Sequence, residues 1–157
     1  MQRSQLERRQ LVPLDIETTF AFFADASNLQ RLTPPWLHFE IVSPTGLTVS
    51  RGTLIDYKLR LHGIPIRWRS EITRWDPPRA FRDEQRRGPY QVWEHTHTFE
   101  AVEGGTVVTD RVVYAVPGGA LIDRLFVRPD LKRIFDYRAL AMRSWAAEQT
   151  SAAKPRT

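Results

Sequence analysis

The chain has no cysteine. That removes disulfides, thiolate metal ligands, iron–sulfur clusters and a cysteine nucleophile from consideration, and it fits an expected cytoplasmic setting. Long apolar runs are also missing. None approaches the roughly 18 residues that a bilayer-crossing helix needs, so no integral membrane segment is expected. The opening segment MQRSQLERRQLVPL is polar and lacks the apolar centre of a secretory signal. Lysine is scarce: of 23 basic residues, 20 are arginine and three are lysine. A net charge of +5 would by itself favour phosphate contact. The arginines, however, are interleaved with acids in ERR, RDEQRR and RWRSEITR, which describes a solvated surface, and no nucleic-acid partner is expected. Phosphate-cradling glycine loops are absent too, since the GG pairs at 104–105 and 118–119 do not stand in a strand-to-helix context.

What is present suits one domain. A chain of 157 residues buries roughly two-thirds of the surface it exposes when unfolded. The domain is expected over residues 1–147, with 148–157 a disordered tail. LERRQLVPL alternates as a strand does. In DIETTFAFFAD, Asp15 is placed to accept an orphan N–H as helix N-cap, and Ile16, Phe20 and Phe23 recur at helical spacing. Ser27 is the expected cap of a second short helix, NLQRL, which the prolines of TPPW end.

From residue 38 the period changes to two. HFEIVSP, GTLIDYKLRLHG, IPIRWRSEITRW, AFRDEQRR, YQVWEHTHTFEA and GTVVTDRVVYAV read as six strands, joined by connections short enough for an antiparallel meander. With the first strand they make a seven-stranded curved sheet that needs something packed into its concave face. PDLKRIFDYRALAMRSW supplies it. Leu131, Ile134, Phe135, Arg138, Met142 and Trp145 fall on one stripe of a helix of about 17 residues. Upstream, Leu121, Leu125 and Phe126 also have helical spacing, and Pro129 predicts a kink or break near Arg128.

The segments TPPWLHFEI, DPPRAFRDEQRRGPYQVWEHTHTFE, VPGG and RIFDYR resemble the START-like, or SRPBCC, superfamily, and within it the bacterial polyketide cyclase/dehydrase-like ligand-binding group. The likeness covers residues from about 4 to 146. It implies the α+β helix-grip fold, with the sheet wrapped around the C-terminal helix, two short helices between the first two strands, and a cavity for apolar ligands. It does not imply one reaction, because a fold hosts many functions. A close subgroup is similar to domains found beside sugar-nucleotide-epimerase-like domains, which raises an epimerase-like protein partner as one expectation.

With the apolar side concave, strand parity predicts the lining. Tyr57, Trp68, Phe81, Asp83, Gln85, Trp93, His95, His97, Phe99, Asp110 and Tyr114 point inward, and Phe135 and Arg138 face them from the helix. A dry core rarely holds two carboxylates and two histidines without pairing them. An imidazole beside an aspartate is most simply a structural pair. The same set suits contacts to a ligand's polar group, or acid/base catalysis by His95 or His97 with Asp83 or Tyr114 as the acid. A metal on His95 and His97 needs a third ligand such as Asp83 or Asp110, whose convergence depends on cross-strand register. No metal and no cofactor are therefore expected. Trp36 and Trp75 read as turn plugs, with Trp36 alternatively at the cavity mouth. The leading expectation is a protein that binds a lipid, polyketide, quinone or aromatic metabolite. Its rivals are a cofactor-independent cyclase or dehydratase and an accessory module for an epimerase-like partner.

Overall fold

A computed structural model describes residues 1–44 and 48–152. Its first strand, β1 (Ser4–Val12), is followed by α1 (Ile16–Ala24), α2 (Leu29–Leu32) and β2 (Glu40–Ile41). The strands β3 (Leu54–Leu61), β4 (Ile64–Asp76), β5 (Ala80–Arg87), β6 (Val92–Val102) and β7 (Gly105–Ala115) come next. The chain then enters α3 (Gly119–Ile122) and, after a π-helical turn over Asp123–Val127, α4 (Arg128–Ala152). The described strands form one antiparallel sheet in the order β1-β7-β6-β5-β4-β3-β2, the expected meander. Because β1 and β2 lie at opposite edges, the segment between them must cross the sheet, and this carries α1 and α2 onto the concave face beside α4.

Local chemistry explains the elements. Asp15 caps α1 as expected, accepting from the Thr18 amide at 3.0 Å. The second cap differs from expectation: α2 starts after Asn28 without a side-chain cap, and Asp25 caps the short 3-10 turn Ala26–Asn28 ahead of it, accepting from the Ser27 amide at 3.0 Å. The β3–β4 hairpin turns on His62 and Gly63, with φ of 50° and 79°. Two left-handed residues match the twist of paired strands. In β4 an extra residue, Thr73, lies between the pairs Ile72↔Asp83 and Arg74↔Arg82. This bulge bends the sheet and returns Trp75 to the concave side, where its ring meets Phe20 at 5.4 Å. Trp75 is half-buried there, packed against the core cluster beside the turn that follows β4. Trp36 is half exposed against Tyr137 and Arg133 of α4.

The stripe of α4 buries Leu131, Phe135, Arg138, Met142 and Trp145 as predicted, and Trp145 stacks on Phe22 of α1 at 3.9 Å. The break expected near Arg128 takes the form of the π-helical turn just before it. Leu121, Leu125 and Phe126 point to solvent, so their helical spacing does not mark a buried face. The helix also runs five residues past the expected edge at 147, to Ala152, where Arg31 of α2 holds Glu148 through two hydrogen bonds of 2.7 and 2.8 Å. Residues 153–157 of the expected tail lie outside the described residues.

Candidate functional site

Register assembles the site. On the β5–β6 ladder Asp83 lies opposite His95, and on the β6–β7 ladder His97 lies opposite Asp110. Side chains two apart share a face, so both imidazoles stand side by side between the two acids. Their rings stack with centroids 3.8 Å apart, and Phe81 covers the far face of His97 at 4.1 Å. The hydrogen bonds run diagonally. His95 Nε2 lies 2.9 Å from Asp110 Oδ1, and His97 Nε2 lies 3.0 Å from Asp83 Oδ2. Asp110 Oδ1 is also 3.1 Å from His97 Nδ1, so this one carboxylate oxygen serves both rings. From α4, Arg138 donates through Nε to Asp110 Oδ2 at 3.0 Å and through Nη2 to Oδ1 at 3.3 Å. His95 Nδ1 makes no hydrogen bond among the described residues and lies 3.9 Å from Asp83 Oδ2.

Each titration reflects burial set against these partners. Burial alone raises Asp110, but the Arg138 charge and the two imidazoles outweigh it and hold this carboxyl well below the usual carboxylate range. Asp83 follows the same pattern more weakly, lowered by its hydrogen bond to His97 and by the nearby charges of His95, His97 and Arg138. For His97, burial disfavours the cation, yet hydrogen bonds to Asp110 and Asp83 raise its pKa. For His95, burial and then the neighbouring His97 charge lower it. Of the two imidazoles, His97 is thus the one that takes up a proton more readily.

The polar cluster stands at the junction of two apolar lobes. The inner lobe, about 120 Å³, is lined by Phe23, Leu32, Ile55, Ile72 and Phe81 together with Asp83 and His97. The outer lobe, about 150 Å³, is lined by Leu37, Leu59, Trp68, Tyr90, Ile134 and Phe135. Leu29, Leu32, Tyr57, Trp93, His95 and Arg138 border both, so the two lobes share one wall under α4.

Of the residues predicted from sequence, Tyr57, Trp68, Phe81, Asp83, Trp93, His95, His97, Phe135 and Arg138 line the cavity. Four do not. Asp110 is held behind the imidazoles by Arg138. Phe99 packs into the core against Phe20 and Phe23, at 5.1 and 5.5 Å. Gln85 is used up inside the β5–β6 turn, donating to the Tyr90 carbonyl at 2.8 Å and accepting from the Tyr90 amide at 3.0 Å. Tyr114 donates to Asp123 at 2.7 Å in a separate buried cluster, so it has no proton to offer the cavity. Ser70, two residues from Trp68 on β4 and so on the same face, also borders the inner lobe. Its hydroxyl accepts from the Trp68 indole at 3.0 Å and lies 3.4 Å from the Tyr57 hydroxyl. Phe23, Leu29 and Leu32 were missed as lining residues, although the three-residue spacing of the two leucines marks one helical face.

The family model for polyketide cyclase / dehydrase and lipid transport proteins matches residues 3–145, and the chain belongs to that family. No protein of curated function is significantly similar in sequence. Among solved structures, the Zhui aromatase/cyclase from Streptomyces sp. R1128 superposes with a TM-score of 0.77 at 14% identity, over 99% of this chain and all of that one. The di-domain aromatase/cyclase StfQ of the steffimycin biosynthetic pathway matches at 0.75 and 15% identity, over 95% of this chain and 52% of its own. Ara h 8.0201 matches at 0.69 and 18%, over 94% and 99%. At such identities the likeness establishes the helix-grip fold. Together these findings bear out the family resemblance and the fold class. No helix among the described residues is long and apolar enough to cross a membrane.

Proposed function

We propose that this protein binds a mostly apolar small molecule in the two-lobed cavity, with its polar group at the junction. The observation that carries this reading is the placement of a hydrogen-bonded Asp–His–His–Arg cluster between two apolar lobes. Pockets for small molecules combine apolar walls with a few converging polar groups in this way. A cavity of roughly 150 Å³ accommodates a benzene ring. Each lobe here is of that order, which suits an elongated or fused-ring molecule of the lipid, polyketide, quinone or aromatic type. Native mass spectrometry of gently purified protein, paired with a thermal-shift screen of such compounds, tests the proposal. A retained ligand or a saturable rise in Tm is expected, and the absence of both across the panel overturns it.

A second reading, a cofactor-independent cyclase or dehydratase, is favoured by one observation: His95 Nδ1 is free of hydrogen bonds at the edge of the cavity, close to Asp83. In that role it would take a proton from the carbon beside a substrate carbonyl. The other three imidazole nitrogens have protein partners, and Tyr114 is unavailable, which leaves binding as the better supported function. Loss of turnover of a linear polyketone in a His95→Gln variant of unchanged Tm would reverse that ranking. Unchanged turnover would eliminate the catalytic reading.

A further inference from the structure

We infer that Asp83, His95 and His97 form a binding site for a divalent first-row transition ion, with an open coordination position facing the cavity. The three side chains each offer one ligand atom, and these atoms lie within 4.8 Å of one another. This is the convergence that the His-x-His spacing required and that sequence alone did not establish. In a tetrahedral zinc site, ligand bonds of about 2.0–2.2 Å put donor atoms roughly 3.3–3.5 Å apart. The separations here are 3.0 Å from His97 Nε2 to Asp83 Oδ2 and 3.9 Å from His95 Nδ1 to the same oxygen. The two rings, now stacked with centroids 3.8 Å apart, must also tilt for both lone pairs to meet one ion.

The outer contacts point the same way. Ligating imidazoles characteristically give their second N–H to a carboxylate, which sets the tautomer and aims the lone pair at the metal. Here Asp110 Oδ1 stands 2.9 Å from His95 Nε2 and 3.1 Å from His97 Nδ1. Arg138 anchors that carboxylate from behind, so it is fixed before any ion arrives. Arg138 Nη2 also lies 3.5 Å from His97 Nδ1, but a guanidinium only donates, and a hydrogen on Nδ1 is directed to the nearer Asp110 oxygen. With both hydrogens so placed, an ion that replaces the proton between His97 Nε2 and Asp83 meets the lone pairs of His95 Nδ1 and His97 Nε2 on the Asp83 side.

Charge adds a third argument. With neutral imidazoles the buried cluster holds two carboxylates against Arg138 alone. A buried uncompensated charge is costly, so the site demands a proton or a cation. Two nitrogens and one oxygen suit zinc and its neighbours and do not suit calcium or magnesium, which prefer all-oxygen shells. Three protein ligands leave a position open, as catalytic zinc sites do. Since Asp83, His95 and His97 all border the inner lobe, the open position takes an oxygen donor of a cavity ligand: a carboxylate, phenolate or enolate.

The test uses tag-free, chelator-stripped full-length protein and the metal alone, so its outcome does not depend on any apolar ligand. Cobalt(II) is titrated and followed by its visible d–d bands, then displaced with zinc. One equivalent bound with the intense bands of four- or five-coordinate cobalt, bleached by one equivalent of zinc, is the expected result. Asp83→Asn should weaken binding at least tenfold, and Asp110→Asn by roughly 10–100-fold, the usual effect of losing such an outer carboxylate. His62→Ala, which removes the exposed pair with Asp130, should change nothing. Only weak aqueous-type bands at about 0.1 mM cobalt, or binding that survives Asp83→Asn but is lost in His62→Ala, overturns the site. Should His95→Gln or His97→Gln fail to fold, the two aspartate variants still decide the question. Failure here leaves the apolar-ligand proposal standing.

Discussion

Arg138 reaches from α4 to Asp110 on β7, with Nε 3.0 Å from Oδ2, and both side chains are buried. It is the one charged residue on the buried stripe of the helix. Its guanidinium also lies 5.2 Å from the ring of Phe23 on α1. Three elements therefore meet at one cation: the helix that grips the sheet, the sheet itself, and the short helix that crosses it. Because Asp110 in turn orients His95 and His97, the pair couples the seating of α4 to the geometry of the cavity wall.

Breaking the pair from one side should be severe. Arg138→Met leaves a buried carboxylate without its partner, which costs about 3–5 kcal/mol in comparable cases. Adding Asp110→Asn removes the orphaned charge, so the double variant should be more stable than Arg138→Met alone. Urea denaturation of the two single variants and the double variant gives the coupling. Additive losses would mean that the two residues act independently.

A second buried acid predicts a pH effect away from the cavity. Asp123, in the π-helical turn, accepts from Ser4 at 2.8 Å, Tyr114 at 2.7 Å and Arg128 at 3.1 Å. Burial alone raises its pKa, but these three hydrogen bonds outweigh it and hold the carboxyl below the usual range. A depressed folded-state pKa contributes stability above the unfolded value near 3.9, and that contribution is lost as pH falls through the folded value. Asp123→Asn should cost about 2 kcal/mol at pH 7, as hydrogen bonds to a charged group do. The gap from wild type should close below about pH 4. A gap that stays constant with pH would show that the carboxylate charge is not what these donors recognise.

Backbone geometry supplies a third outcome. Gly105 opens β7 with φ of 149°, and a Cβ built there would stand 2.0 Å from the Val12 carbonyl oxygen of β1. The neighbouring Gly104 has φ of 87° and nothing within 4 Å of such a Cβ. Gly105→Ala should force the β1 edge away from β7 and cost clearly more than Gly104→Ala, whose penalty is the roughly 1–2 kcal/mol of left-handed strain. Equal losses in thermal melts would mean that β1 yields without cost.

Much of this site was legible in the sequence because a strand's side-chain period is two and these strands are buried on one face. Parity alone put Asp83, His95, His97 and Asp110 on the concave side. What it could not supply was register. Whether Asp83 stands opposite His95 or two residues away depends on the β5–β6 connection, where Gln85 closes the turn through Tyr90. Similarly, the inserted Thr73 turns Trp75 to the concave side, and no local pattern announces it. Helix rotation was the other gap. The capping signal of Asp15 placed α1, but which faces of α1 and α2 would close the cavity depends on how the crossing segment settles against α4.

Filling the inner lobe tests the cavity most directly. Ala24, at the end of α1, lines this lobe beside Phe23 and Ala26. Leucine is a good helix former, and its added carbons would project into existing space, so Ala24→Leu should leave Tm close to wild type or raise it. The same carbons should exclude a ligand. Anilinonaphthalene sulfonate, whose rings suit the apolar lobes, serves as a fluorescent probe, and its affinity should fall at least tenfold. The exposed Leu121, Leu125 and Phe126 offer the dye an alternative apolar surface, so Leu125→Gln is measured alongside. Probe binding that survives Ala24→Leu but is lost in Leu125→Gln would move the ligand from the cavity to that surface.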